Sequence, residues 1–309
     1  MELREVFGRT LVALADEDPR VMVLDADLHT STRTDLFKQT FPARFVQAGI
    51  AEQNMFGLAA GMAAAGMIPF PTTFAVFATK RANDQVSVSI AYPRLNVKIP
   101  GVYAGISTGK AGATHQSVDD LAIMRAMPNM RVLDPADATE LAAAMRAMLV
   151  YEGPVYFRVI RPEMPDLFDD SYRFTWEPVQ IRSGRDLTLC GTGMMSHRCL
   201  EAAGILATQG IEAAVVHVPC LKPLSSELLI RLARETGALV TAENHSIIGG
   251  LAGAVAEVLA EEAPTPIRRV GVRDCFVETG SDEDIYRKYG LTTADIVQAA
   301  KEVLAKKSM

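Results

Sequence analysis

The chain has 309 residues, of which 49% are hydrophobic and 22% are charged, and its formal net charge is −6 at neutral pH. This length predicts about two globular domains, and the negative charge argues against a nucleic-acid-binding function. The N-terminus lacks the apolar core of a signal peptide, and no apolar run approaches the roughly 18 residues of a membrane span. We therefore expect a cytoplasmic protein that binds no membrane.

The four cysteines lie far apart, without a Cys-x-x-Cys spacing. Cys190, Cys199 and Cys220 stand in apolar contexts, which favours buried free thiols in a reducing compartment. The sequence indicates no metal site within the chain.

The first half of the chain alternates amphipathic helical patterns with short apolar runs. Residues 2–18 carry apolar side chains at helical spacing, and Val21-Met-Val-Leu24 is typical of a strand buried on both faces. Further strands are predicted at 69–77, 95–99, 130–134 and 155–160, and helices at 79–91, 117–127, 137–151 and from Glu52 onward. The Gly-rich segment 101–116 is predicted to be a functional loop.

A second alternating series follows a segment without periodicity. Residues 166–184 contain Pro, Asp and the single Trp, a composition typical of an interdomain linker. Strands are predicted at 187–190, 213–218 and 238–241, and helices at 195–209, 225–236 and 249–262. We therefore predict an α/β protein with two doubly wound domains, 1–165 and 185–309, each with a mostly parallel sheet.

Acidic residues stand at two places where a regular element begins or ends. Asp27 follows a predicted strand, where α/β sheets bind ligands, although a plain turn or cap is equally compatible with the pattern. Glu52 begins a helix in which Gly57, Gly61 and Ala65 form a face of small side chains that can lie close to another backbone. An ordinary first-turn acid is the alternative interpretation of Glu52.

Five short motifs, in this order and spacing, resemble the pyrimidine-binding domain of the transketolase family of thiamine diphosphate enzymes. They are Ala26-Asp-Leu28, Gly49-Ile-Ala-Glu-Gln53, Thr73-Phe-x-x-Phe77, Thr114-His-Gln116 and Pro128-Asn-Met130. The resemblance continues through Glu243-Asn-His-Ser-Ile-Ile-Gly-Gly250, so it covers essentially the whole chain. It covers only the second half of an ordinary transketolase.

The resemblance implies that thiamine diphosphate is the cofactor. Loss of the thiazolium proton needs a carboxylic acid bonded to the far pyrimidine nitrogen, and Glu52 matches that acid. Asp27 and Leu28 match cofactor-binding positions, and Phe74 and Phe77 match the aromatic pair beside the pyrimidine ring, although buried Phe residues are also ordinary core. Lys80 replaces another aromatic residue of the family, and Arg81 is compatible with either a polar site residue or a solvated helix residue.

The same resemblance implies substrate-binding residues. His115 matches the catalytic histidine that contacts the substrate carbonyl and hydroxyl, although a lone histidine is more often structural. Arg161 and Ser31 match positions that bind the sugar phosphate, with an interdomain ion pair as the alternative role of Arg161. Tyr103 replaces a phosphate-contacting His and Ala111 replaces a hydroxyl-recognising Asp, which argues for a truncated, differently charged or otherwise unusual sugar.

The chain lacks the Gly-Asp-Gly segment with which the family holds the diphosphate and Mg²⁺. We therefore expect the C-terminal subunit of a split transketolase, inactive alone. A separate N-terminal diphosphate-binding subunit would complete an α2β2 heterotetramer acting on small sugars or sugar phosphates. The beta subunit of a 2-oxo acid dehydrogenase, a deoxyxylulose-phosphate synthase fragment and a non-catalytic dimerising homologue are the alternatives.

Overall fold

The computed structural model describes residues 2–108 and 111–307, which form two α/β units. The strands are β1 Val21–Asp25, β2 Phe45–Gln47, β3 Ile68–Phe74, β4 Lys98–Val102, β5 Arg131–Leu133, β6 Val155–Val159, β7 Val179–Arg182, β8 Leu187–Gly191, β9 Ala213–His217, β10 Cys220–Lys222, β11 Leu239–Ser246 and β12 Ile267–Val272. In the middle of the Gly-rich segment, Gly109 and Lys110 lie outside the described residues.

The strands are connected mostly by helices. They are α1 Leu3–Glu17, α2 His29–Thr32, α3 Asp35–Thr40, α4 Glu52–Ala64, α5 Ala75–Lys80, α6 Asp120–Ala126, α7 Ala138–Val150, α8 Met195–Ala207, α9 Glu227–Thr236, α10 Leu251–Glu262, α11 Asp282–Lys288 and α12 Thr293–Lys307. A 3₁₀ turn spans Pro42–Arg44, and a π-helical segment spans Gln85–Ala91. Within the described part of the chain, no helix is long and apolar enough to cross a bilayer.

Both sheets are parallel except at one edge. The first has the order β10-β5-β6-β4-β3-β1-β2, with β10 antiparallel to β5. The second has the order β12-β11-β8-β9-β7, with β7 antiparallel to β9. Strands such as β4 and β6 are buried at every position, as expected for parallel strands covered on both faces. The predicted fold class, two doubly wound α/β units with mostly parallel sheets, is confirmed. Cys190, Cys199 and Cys220 are buried free thiols, as predicted, and Cys275 is exposed.

Several predicted boundaries are wrong. The strand expected at 69–77 ends at Phe74, and Phe77 lies in α5. The strand expected at 95–99 begins at Lys98, because the N–H of Leu95 still closes the preceding π-helical segment through the carbonyl of Ile90. Ser117 does not cap a helix; it pairs with Gly105 in an isolated bridge, and α6 begins at Asp120.

All four edge strands, β2, β7, β10 and β12, escaped prediction, and two of them, β7 and β10, lie in unexpected places. Strand β7 lies inside the segment 166–184 that was predicted to be a linker, and it pairs with β9 of the second sheet. Strand β10 follows β9 directly but crosses to the first sheet, where it pairs with β5. Each is short and irregular in register, so neither leaves a periodic pattern in the sequence.

A buried arginine in β6 connects the two units. Arg158 is 1% exposed, and its Nε and Nη2 donate to both carboxylate oxygens of Asp120, at 2.7 and 2.6 Å. Its Nη1 donates to Asp134 at 3.3 Å and to the backbone carbonyl of Asn244 in β11 at 3.2 Å. Burial opposes the charge of Arg158, but the two carboxylates outweigh it and raise the pKa of Arg158.

Asn244 in turn holds the segment that follows β4. Its side-chain oxygen accepts the N–H of Ile106 at 3.1 Å, and its amide nitrogen donates to the Ser107 hydroxyl at 3.2 Å. Gly105 has φ +74°, and a Cβ at this position would lie 2.4 Å from the Asn244 amide nitrogen. Glycine is therefore required here both by its backbone conformation and by the close approach of Asn244.

Lys98 at the start of β4 is fully buried. Its ammonium donates to the carbonyl oxygens of Tyr151 and Gly153, at 2.7 and 2.9 Å. Burial, together with the nearby positive charge of Arg131, lowers the pKa of Lys98 to about 7.

Replacing this lysine tests the linkage between its protonation and stability. The folded pKa of about 7 lies below the ordinary value of 10.5, so the unfolded chain binds more protons between these two pH values. The free energy of unfolding of the wild type should therefore rise with pH across this window, by up to about 1.4 kcal/mol per pH unit relative to Lys98→Met. Urea unfolding at several pH values measures this pH slope, with the substitution Lys301→Met at an exposed lysine as control. Equal pH slopes for wild type and Lys98→Met would contradict the assignment.

Candidate active site

The predicted acid, Glu52, is the first residue of α4 and is only 5% exposed. Arg81, just after α5, donates to a Glu52 carboxylate oxygen at 2.9 Å. The Arg81 side chain is 51% exposed, and its guanidinium lies over the Phe77 ring, 3.9 Å from the centroid. Within residues 2–108 and 111–307, Glu52 has no other side-chain hydrogen bond.

An aromatic wall adjoins this ion pair. Phe74 and Phe77 are stacked with their centroids 5.7 Å apart, and Tyr103 stacks on Phe74 at 4.4 Å. His115 stands edge-on to both Phe rings, at 6.0 and 5.4 Å. A pocket of about 480 Å³ opens here, lined by Val76, Phe77, Lys80, Arg81, Ala113, Thr114 and Phe276. The structure thus brings together four predicted site residues, Glu52, Phe74, Phe77 and His115.

Tyr103 connects the aromatic wall to two arginines. It has φ +59°, and its hydroxyl accepts a hydrogen bond from Arg4 at 3.0 Å. The same Arg4 nitrogen donates to the backbone carbonyl of Ser31 at 3.2 Å, and the Arg161 guanidinium lies 5.7 Å from the Tyr103 ring centroid. Two further predicted residues are therefore connected to Tyr103: Arg161 lies near its ring, and Ser31 is linked to its hydroxyl through Arg4.

Arg161 and Arg4 differ in their partners. Arg4 pairs with Glu2 at 2.7 Å. Arg161 makes no ion pair or hydrogen bond with any residue of the described ranges, so the interdomain ion pair considered for it does not form there. Arg4 was missed by sequence reasoning, because its position in α1 lies 99 residues from Tyr103 and carries no motif.

Two aspartates at the carboxyl end of β1, Asp25 and Asp27, comprise one buried and one exposed carboxylate. Asp25 is fully buried, accepts the N–H of Leu28 at 2.6 Å, and accepts hydroxyl hydrogen bonds from Thr32 and Thr34. Burial raises the pKa of Asp25. Asp27 is exposed with φ +63°, and its backbone N–H, bonded to Gln47 at 2.9 Å, is its only hydrogen-bonding group with a partner among the described residues. The structural turn residue is therefore Asp25, and the Asp27 carboxylate is available for a ligand.

These groups share one edge of the first sheet. Asp27 and Leu28 follow β1, Phe74 ends β3, Tyr103 follows β4 and Arg161 follows β6. The four strands are neighbours in the order β6-β4-β3-β1 and run parallel, so their carboxyl ends open on the same side. Ligands of α/β sheets bind at this edge.

Conservative changes at the two aspartates separate their roles. Asp25→Asn replaces one acceptor oxygen with a donor facing existing donors, and should lower the free energy of unfolding by about 1–3 kcal/mol. Asp27→Asn keeps a residue type that tolerates positive φ, and should change stability by less than about 0.5 kcal/mol. Urea unfolding measures both. A larger loss for Asp27→Asn than for Asp25→Asn would contradict this division.

Comparison with known proteins agrees with this geometry. The family description "Transketolase, pyrimidine binding domain" matches residues 1–166, and "Transketolase, C-terminal domain" matches residues 178–296. The 6-deoxy-6-sulfo-D-fructose transketolase subunit SqwH of Clostridium sp. (strain MSTE9) is 45% identical over 307 residues, covering 99% of this chain and 95% of that protein. A subunit of the apulose-4-phosphate transketolase of Phocaeicola vulgatus is 36% identical, covering 98% of this chain and 97% of its own length.

A solved structure shows the same architecture over the full length. It is described as a split gene transketolase, inactive beta4 tetramer, with a TM-score of 0.92, 47% identity and 99% coverage of both chains. As its motifs predict, the chain belongs to the transketolase family and is one subunit of a split transferase.

Proposed function

We propose that this chain is the pyrimidine-binding subunit of a thiamine diphosphate-dependent transketolase. It would transfer a two-carbon ketol unit from a ketose donor to an aldose acceptor, and would act only with a second subunit that holds the diphosphate and Mg²⁺. The observation that carries the proposal is a buried acid, Glu52, at a helix start beside the stacked Phe74 and Phe77 rings.

The residues present fit the pyrimidine half of this cofactor. An aminopyrimidine ring offers a nitrogen for a carboxylic acid and flat faces for aromatic stacking. Glu52 supplies the acid and Phe77 the ring face, next to a pocket of about 480 Å³. Asp27 and Leu28 stand at the neighbouring strand end. When bound, thiamine diphosphate would supply a thiazolium carbon that adds to the donor carbonyl and carries the two-carbon unit.

Glu52 and His115 would handle protons around the reacting groups. Glu52 would hold a proton at the pyrimidine ring nitrogen, in a place from which bulk water is largely excluded by burial. One ring nitrogen of His115, Nδ1, pairs with the Thr114 hydroxyl at 2.8 Å. The other, Nε2, has no partner in the described ranges and is available to a carbonyl or hydroxyl oxygen of the sugar.

We further propose that the donor sugar carries a terminal anionic group bound by Arg161, near Ser31 and Tyr103. A guanidinium that has no carboxylate partner within residues 2–108 and 111–307 suits a phosphate or a sulfonate, since both present several acceptor oxygens. The two relatives named above act, by their names, on a sulfonated and a phosphorylated sugar. At the position where the family has a phosphate-contacting histidine, this chain has the phenol ring of Tyr103.

The assembly we propose is an α2β2 heterotetramer located in the cytoplasm, with the site completed across a subunit interface. The face of α4 that carries Gly57 and Gly61 is exposed, and a Cβ at either position would meet no atom within 4 Å. This small-residue face is suited to close approach by another backbone. For Mg²⁺, the described residues contain no cluster of three or more His, Cys, Asp or Glu side chains suited to a metal ion, and we assign the ion to the partner subunit. The free thiols suit a reducing compartment.

Glu52→Gln tests the mechanism. The amide keeps the shape but cannot hold or release the proton, so ketol transfer should fall at least about 100-fold in the complex with the partner subunit, thiamine diphosphate and Mg²⁺. Ketol transfer is measured as the loss of donor ketose and the appearance of the lengthened sugar. Glu227→Gln, at an exposed first-turn glutamate of α9, is the matched control. Near-normal activity of Glu52→Gln would refute the proposal.

Arg161→Ala tests the anion site. KM should rise about tenfold to 100-fold for fructose 6-phosphate or 6-deoxy-6-sulfo-D-fructose, because a hydrogen-bonded charge contributes about 1.5–3 kcal/mol. KM for uncharged fructose should stay unchanged. Steady-state kinetics of the reconstituted complex measures the three donors, with the distant Arg231→Ala as control. Equal losses for charged and uncharged donors would show that Arg161 does not recognise the anion.

A further inference from the structure

In the free subunit, Arg81 holds both contacts that a bound pyrimidine would need. Its guanidinium lies over Phe77, with the central carbon 3.9 Å from the ring centroid, and one nitrogen donates to Glu52 at 2.9 Å. A guanidinium is planar and donates hydrogen bonds from its edge, so it can stack on a ring and pair with a carboxylate at once. An aminopyrimidine presents the same combination of a flat face and polar edge nitrogens.

A buried carboxylate explains why Arg81 takes this position. Glu52 is 5% exposed, and leaving a buried carboxylate without a partner costs free energy. Arg81 removes that cost while keeping half of its own side chain in solvent, with 51% exposed. The ion pair is therefore accessible to competition from solvent and from a ligand.

A displaced Arg81 has an acceptor close by. Asp84, three residues later, is exposed and has no hydrogen bond or ion pair with any residue of the described ranges. Side chains three apart in a helical segment are neighbours. Lys80, by contrast, is already paired with Asp119 at 3.1 Å, so the Asp84 carboxylate is free to receive the arginine.

We propose that Arg81 is a placeholder that stabilises the free subunit and must be displaced when the cofactor binds. The inference rests on the proposed function, because it assigns the pyrimidine ring to Glu52 and Phe77. Arg81 swings from Glu52 toward Asp84 as the ring enters. The ion pair stabilises the cofactor-free state and not the loaded one, so it lowers the affinity for thiamine diphosphate and slows its association.

The test is cofactor affinity, measured apart from turnover. Thiamine diphosphate is titrated into the complex of this chain with its diphosphate-holding partner at fixed Mg²⁺, and Kd is read by calorimetry. Arg81→Ala should lower Kd by about threefold to tenfold, because the competing contact is lost and the free state is left with an unpaired acid. Arg81→Lys keeps the charge but not the planar stack, so its Kd should lie between that of the wild type and that of Arg81→Ala. Arg231→Ala, an arginine of similar exposure paired with Glu235, should leave Kd unchanged.

Stability of the free chain supplies an independent readout. Arg81→Ala should lower the Tm of the isolated subunit by about 1–3 °C, and the same change in a Glu52→Gln background should have no effect. A saturating concentration of cofactor in the complex should abolish the difference between wild type and Arg81→Ala.

The outcomes separate the possibilities. An unchanged Kd for Arg81→Ala would mean that Arg81 does not compete with the cofactor, and a raised Kd would mean that it helps to hold the cofactor; either result overturns the inference. If neither wild type nor Arg81→Ala binds thiamine diphosphate, the proposed function itself has failed, and the inference fails with it.

Discussion

The buried charge cluster around Arg158 is the constraint on which the rest of the structure depends. Arg158 forms ion pairs with Asp120 and Asp134 and hydrogen-bonds to the backbone of Asn244 in the second sheet. Removing Arg158 would leave two buried acidic side chains without their cationic partner, and such a loss strongly destabilises a protein interior. The Asn244 side chain then holds Ile106, in the segment after β4. The C-terminal unit therefore helps to position the loop that carries part of the active site, although it supplies no predicted catalytic residue.

The site itself follows from the parallel sheet. Because β1, β3, β4 and β6 are adjacent and point the same way, residues far apart in sequence meet at one edge. The aromatic wall lies at the centre of that edge, with two charged neighbours: the acid Glu52, and Arg161, which forms no ion pair with the described residues. A buried acid beside an apolar wall, together with a cation that forms no ion pair among the described residues, is typical of a ligand site and not of a hydrophobic core. The proposed function requires this subunit to supply such a half-site.

Much of this organisation could be predicted from the sequence. Continuous apolar runs placed the central strands, and the helix predicted at 137–151 is α7 with Asp137 as its N-cap, because both patterns depend on residues close together in the chain. The motifs led to Glu52, Phe74, Phe77 and His115, which the structure brings into one cluster beside a pocket, while their catalytic roles stay predictions. The edge strands β7 and β10 could not be found this way, because a three- or four-residue strand has no measurable period.

By itself, then, the sequence determined the alternation of strands and helices, the buried thiols and the family to which the chain belongs. Each of these properties depends on local periodicity or on short contiguous motifs. The contacts that shape the site are of another kind: Glu52 meets Arg81 across 29 positions, Arg4 meets Tyr103 across 99, and Ile106 meets Asn244 across 138. No repeat or spacing rule relates such residues, so only the packing of the two sheets decides which side chains become partners.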